Sequence, residues 1–115
     1  MQYLLLIHDD EQLWAGMSDE ERGSYFAEYM RFTQELIDSG TYVGGNQLHP
    51  SSATTVVRVR GGETLTTDGP FAETKEQIGG FYLVDCKNLD EAIEVASKHP
   101  LARRGAMELR PFGAD

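Results

Sequence analysis

An α+β fold, one antiparallel sheet with two helices on a single face, is predicted by three observations on this 115-residue chain. Apolar or alternating runs of strand length recur from the first residues to the last. Two segments carry the three-and-four spacing of helices behind capping residues. The elements follow the order strand, helix, strands, strand, helix, strand. The length suits a single hydrophobic core, so residues 1–115 are read as one domain.

Gln2 to His8 is an apolar run that suits a first strand covered on both faces. A loop is expected from Asp9 to Met17. Ser18 with Glu21 three residues on is a capping box, each side chain satisfying a free N–H of a helix start. The helix behind it places apolar residues in adjacent pairs, Tyr25/Phe26, Tyr29/Met30, Phe32/Thr33 and Leu36/Ile37, which predicts a broad buried face. Gly40 supplies its left-handed stop.

Thr41 to Leu48 reads as a short strand loosened by Gly44 and Gly45. Thr54 to Arg60 and Glu63 to Thr67, joined by Gly61-Gly62, read as a β-hairpin. Gly80 to Cys86 is a further apolar strand. Asn88, with Glu91 three residues later, opens a second helix whose Leu89, Ala92, Ile93 and Ala96 share one side, and Pro100 ends it. Ala106 to Phe112 closes the chain as a strand with Met107 and Leu109 inward. This order is the split βαβ plan of a ferredoxin-like sheet with the hairpin inserted. Two helices cover one side of such a sheet, so the other is expected to pack on a second copy in a two-fold homodimer.

Composition narrows the partners. With 19 acidic and 10 basic residues the net charge is −9, which opposes a phosphate backbone and argues against nucleic acid. Arg103, Arg104 and Arg110 suffice for one small anion. The run Tyr3 to Ile7 is too short to span a bilayer and no signal-peptidase site follows it, so a cytoplasmic location is expected, with no membrane partner. The single cysteine, Cys86, forms no internal disulfide and no structural zinc site, and fits a reducing compartment.

The segment Thr67-Asp68-Gly69-Pro70-Phe71-Ala72-Glu73-Thr74-Lys75-Glu76, followed by Gly79-Gly80-Phe81-Tyr82-Leu83, resembles the signature of DGPF-domain proteins in the YCII-related family. The opening Met1 to Leu6, Trp14, Gly44-Gly45, Thr54-Thr55 and the closing Glu108-Leu109-Arg110-Pro111 extend the likeness over nearly the whole chain. The resemblance implies a dimeric α+β barrel with a candidate site in the cleft beside the sheet, and no general activity for the DGPF branch. Some members of the wider group resemble muconolactone isomerases and are associated with cofactor-free acid–base chemistry by a helix histidine and an aspartate before a proline. Here those positions fall on Tyr29 and His99. What survives of that pair is an imidazole for the base and a phenol for the donor.

Each candidate also has a structural reading. His99, just before Pro100, suits a protonated cap on the negative end of a helix dipole, and Tyr29 suits core packing. His8, Asp9, Asp10 and Glu11 are a poor metal set, since neighbouring strand residues point to opposite faces, and no metal is expected. In the Asp68-Gly69-Pro70-Phe71 turn the aspartate bonds the backbone ahead and the phenylalanine plugs the core. Glu73, Lys75 and Glu76 remain on a charged loop where binding residues commonly sit.

Two functions follow. One is a small cofactor-independent isomerase or lyase acting on a compact organic acid, with His99 as base, Tyr29 or Asp68 as proton partner, and Lys75, Glu73, Arg103 and His8 as ligand contacts. The other is a non-catalytic regulatory module, since the resemblance extends to domains found beside sigma factors of the extracytoplasmic-function type. No Gly-rich phosphate loop, cysteine pair or serine nucleophile motif is present to suggest other chemistries.

Overall fold

In the computed structural model, which describes residues 1–113, six strands and three helices follow the expected order with one addition. They are β1 (Gln2–Asp9), α1 (Glu11–Ala15), α2 (Asp19–Asp38), β2 (Tyr42–Gln47), β3 (Thr55–Arg60), β4 (Glu63–Asp68), β5 (Gln77–Asp85), α3 (Leu89–Ser97) and β6 (Ala106–Pro111). The addition is α1, which lies in the expected loop. Asp10 nucleates it by accepting the Gln12 N–H. The Ser18–Glu21 capping box forms as expected, and Gly40, at φ 75°, turns the chain out of α2.

The main sheet is antiparallel, in the order β2-β5-β1-β6, and β3 and β4 form a separate two-stranded ribbon. Successive strand residues alternate faces, so register sorts the side chains. Tyr3, Leu5 and Ile7 of β1 lie beside Val84, Tyr82 and Gly80 of β5 and beside Pro111, Leu109 and Met107 of β6. That face carries the core, closed by Phe32 and Leu36 of α2 and Ala92 and Ala96 of α3. The fold is therefore α+β and ferredoxin-like, with the helices on one side.

Several burial expectations are corrected. β1 is not equally covered on both faces: Tyr3, Leu5, Ile7 and Asp9 are buried, whereas Leu4, Leu6 and His8 are only half-buried. The buried stripe of α2 is narrower than its sequence pattern, with Phe26 and Met30 each 57% exposed, because a flat sheet reaches only one line of a helix. On α3, Ala92 and Ala96 bring the helix against the sheet while Leu89 and Ile93 turn outward. Phe71 does not plug the core. It is 78% exposed, under the Arg58 guanidinium at 5.6 Å.

Gly105 marks the closest approach of backbone to backbone. A Cβ there would lie 2.1 Å from the His8 carbonyl oxygen, so the turn before β6 seats against β1 only without a side chain. No helix among the described residues is long and apolar enough to cross a membrane.

Candidate functional site

A cleft opens between the α1–α2 corner and the β2–β5 end of the sheet. It consists of two hollows, of about 200 and about 400 Å³, that share Ile7, Trp14, Tyr29, Gln47 and Gly79. The walls are aromatic. Trp14 stands edge-on to Tyr25 with centroids 6.3 Å apart, and Tyr82 stands edge-on to Tyr42 at 6.3 Å. The smaller hollow carries Asn46 and Gln47 from β2 and the Thr33 and Tyr82 hydroxyls, 2.7 Å apart, and the larger adds Asp9 from the end of β1 with Glu11, Gln12, His49 and Gln77. Gly45 and Gly80 keep the floor thin. A Cβ on Gly45 would meet the Phe81 carbonyl oxygen at 2.8 Å, and one on Gly80 would meet that of Asn46 at 3.2 Å.

Tyr29 reaches this cleft from the middle of α2. Burial raises its phenol pKa, with Tyr82 and Asp9 adding in the same direction, so the hydroxyl stays protonated and is able to donate a hydrogen bond. Behind it lies His99, only 1% exposed, its ring 4.6 Å from that of Tyr29, 4.9 Å from Phe32 and 5.9 Å from Tyr82. Nδ1 accepts the Leu101 N–H at 3.1 Å, which starts the 3-10 turn Pro100–Arg103. Nε2 is buried with no hydrogen-bond partner among the described residues.

His99 therefore departs from the helix-dipole reading. Lys98, not His99, caps α3, and burial pulls the imidazole pKa down to about 4, leaving it neutral at pH 7. The structure does bring Tyr29 and His99 together, as neighbouring rings without a hydrogen bond between them.

At the end of β1, buried Asp9, which lines the larger hollow, and Arg104, which lines a separate hollow beside His8, form a two-pronged ion pair, with Arg104 Nε donating to Asp9 Oδ1 at 3.1 Å. The guanidinium lies 5.0 Å from the Tyr25 ring and 6.0 Å from Trp14. The hydrogen bond that Arg104 donates to Asp9 raises the guanidinium pKa further. In the sequence Asp9 belongs only to an unfavourable metal set and Arg104 only to an anion patch. The signal for the pair was the single buried-face carboxylate that continues the Tyr3, Leu5, Ile7 alternation. Among the described residues Arg103, Arg104 and Arg110 do not form a free anion patch: Arg103 is held by Glu28 at 2.8 Å and Arg110 lies 3.7 Å from Glu108.

The other candidates gather elsewhere. His8 and Lys75 line a shallow hollow of about 800 Å³ at the far side of the loop, where His8 Nε2 lies 2.8 Å from Glu108 Oε1. A shift in register between Ile7 and His8 accompanies this turn of the side chain. Asp68, Glu73 and Lys75 share a further hollow, of about 600 Å³, at the base of the ribbon. Asp68 and Lys75 do not line the cleft beside Tyr29, and Arg103, paired with Glu28, lies outside it. Among the described residues no group of three or more His, Cys, Asp or Glu side chains is placed to hold a metal ion. Cys86 is buried, and burial raises its thiol pKa, which keeps it protonated and unreactive.

The sequence has relatives. An uncharacterized protein of Rhizobium meliloti (strain 1021) is 37% identical, the match covering 97% of this chain and 92% of the relative. Residues 1–112 match the YCII-related domain, which takes in every element from β1 to β6. The chain belongs to the YCII-related family.

Proposed function

We propose that the protein binds a small organic acid in the aromatic cleft, carries out cofactor-free acid–base chemistry on it as an isomerase or lyase, and works as a homodimer. The observation that carries this reading is Tyr29: a protonated hydroxyl on the wall shared by both hollows, backed by a neutral histidine whose Nε2 has no partner among the described residues. A buried polar atom left unpaired costs about 1–3 kcal/mol, and such costs concentrate where a group is kept for a ligand or a proton. In this role Tyr29 donates to the acid's oxygen and the amides of Asn46 and Gln47 hold its carboxylate. His99 carries its hydrogen on Nε2 while Nδ1 accepts the Leu101 N–H, so it takes up a proton only at Nδ1 and by releasing that bond. Trp14, Tyr42 and Tyr82 cover the apolar part of the ligand.

The test is a thermal-shift screen of small organic acids on the wild type and on Tyr29→Phe. At least one acid should raise the melting temperature of the wild type, and the shift should shrink in the variant. Proton NMR of that acid in deuterium oxide should then show enzyme-dependent exchange or conversion, lost in His99→Leu. A library that leaves the melting temperature unmoved, or a shift of equal size in Tyr29→Phe, defeats the proposal.

The regulatory reading, docking on a sigma factor of the extracytoplasmic-function type, draws its support from a different place, the exposed apolar side chains of the β3–β4 ribbon and Phe71. Recovery of such a factor with tagged protein from cell extract, lost when those side chains are made polar, would favour it over the enzyme.

A further inference from the structure

The β3–β4 ribbon stands away from the rest of the molecule. Every residue of β4 is exposed, and so is every residue of β3 except Val56. Val57 and Val59 are 60% and 59% exposed. The radius of gyration, 16.1 Å, exceeds the roughly 13 Å of a compact domain of this length, as a projecting arm requires. An isolated two-stranded ribbon is marginal in water, so a stable one has a surface to lie on.

Cross-strand register gives the arm two unlike faces. Val57 pairs with Thr66, Val59 with Thr64 and Thr55 with Asp68, which makes one face β-branched and, but for Asp68 at its root, uncharged. Arg58, Arg60 and Glu63 stand on the other with Val56 and Leu65. A β-branched, uncharged face is the kind that packs on another protein surface, while the other face carries the charges around half-buried Val56.

We propose that this arm is a clasp: its Val57/Val59 face lies on a second copy of the same chain, so that each subunit of the dimer gives one arm and receives one. The proposal rests on the dimer reading above. Four strands at about 4.8 Å spacing, each with about six residues of 3.3 Å, give the open sheet face a footprint of roughly 400 Å². A stable interface buries roughly 800 Å² of accessible surface on each partner, more than a flat face of that extent readily supplies. One face of a six-residue, two-stranded arm has a footprint of roughly 200 Å². In a two-fold pair each subunit counts it twice, once as giver and once as receiver, so the arms about double the contact that the sheet face alone offers. The arm starts and ends at the same end of the slab, held by the Gly69 N–H to Thr54 carbonyl bond of 2.8 Å, so it can leave its own subunit without disturbing the sheet.

Sedimentation of the wild type and of the double variant Val57→Glu, Val59→Glu tests this. Both valines are exposed, so the subunit fold, followed by far-UV circular dichroism, stays intact. The expected result is a wild-type dimer whose dissociation constant rises tenfold or more in the variant. Amides of residues 55–68 should also gain hydrogen-exchange protection as wild-type protein concentration rises. A wild-type dimer whose dissociation constant changes less than threefold in the variant overturns the clasp and leaves the dimer standing. A wild-type monomer overturns both. Protection of the arm that is independent of concentration, or that appears only with another protein, overturns the clasp as well.

Discussion

Successive residues of β1 point to opposite faces of the sheet, and the two faces meet different surroundings. Tyr3, Leu5, Ile7 and Asp9 are buried beneath α2 and α3, with His99, Tyr29 and the Asp9–Arg104 pair arranged at one end of that interior. Leu4, Leu6 and His8 are half-buried, with Phe81, Leu83 and Ile78 of β5 as their neighbours and Arg110, Glu108 and Ala106 of β6 on the outer side. The covered face has solved its electrostatics within one chain: its carboxylate is paired and its histidine is neutral. The open face presents apolar side chains at its centre and a His8–Glu108 pair at its edge, which is the pattern of a surface finished by a partner.

The comparison breaks most visibly at its most buried charge. Replacing Arg104 with alanine leaves Asp9 unpaired in the interior and should cost about 4 kcal/mol of unfolding free energy, measured by urea denaturation. A loss below about 1 kcal/mol would mean that Asp9 is solvated and that the covered face is wetter than its burial indicates.

Leu5→Ala and Leu6→Ala place the same change on the two faces. At concentrations low enough for single subunits, Leu5→Ala should cost about 3 kcal/mol, because it opens a cavity in a closed core, and Leu6→Ala about 1 kcal/mol or less. Equal costs would erase the distinction.

A smaller effect comes from His99. Its unfolded imidazole takes a proton near pH 6.5, whereas the folded one resists until about pH 4. Between these values the unfolded state binds more protons, so stability rises with pH through the window and is lost as pH falls. From pH 6.5 to pH 5 the loss attributable to this group should be about 2 kcal/mol. Denaturation at both pH values should show it in the wild type and not in His99→Leu. The same slope in both proteins would place the imidazole in contact with water.

The fold was legible because its signals are local. The Ser18–Glu21 box, Gly40 after α2, the Gly61-Gly62 turn and the Asn88 cap each depend on residues within one turn of each other. What could not be read depends on which elements meet. The pairs Tyr25/Phe26 and Tyr29/Met30 look alike in sequence, yet only Tyr25 and Tyr29 pack against the core, because the sheet's position selects one line of the helix. Phe71 follows a proline turn that fits a core plug and instead ends on the exposed root of the ribbon. For the site, Tyr29 and His99 came from the family resemblance, as the positions where related proteins carry a helix histidine and an aspartate before a proline. Asp9 and Arg104, 95 residues apart, become partners only when β6 closes beside β1.

The claim on which most depends is that the half-buried face of the sheet is closed by a twin subunit. Sedimentation equilibrium across the micromolar range tests it directly, with Leu6→Arg as the companion variant that places a charge at the centre of that face. The account predicts twice the chain mass for the wild type and the single-chain mass for Leu6→Arg. A wild-type protein that sediments as one chain throughout would contradict it.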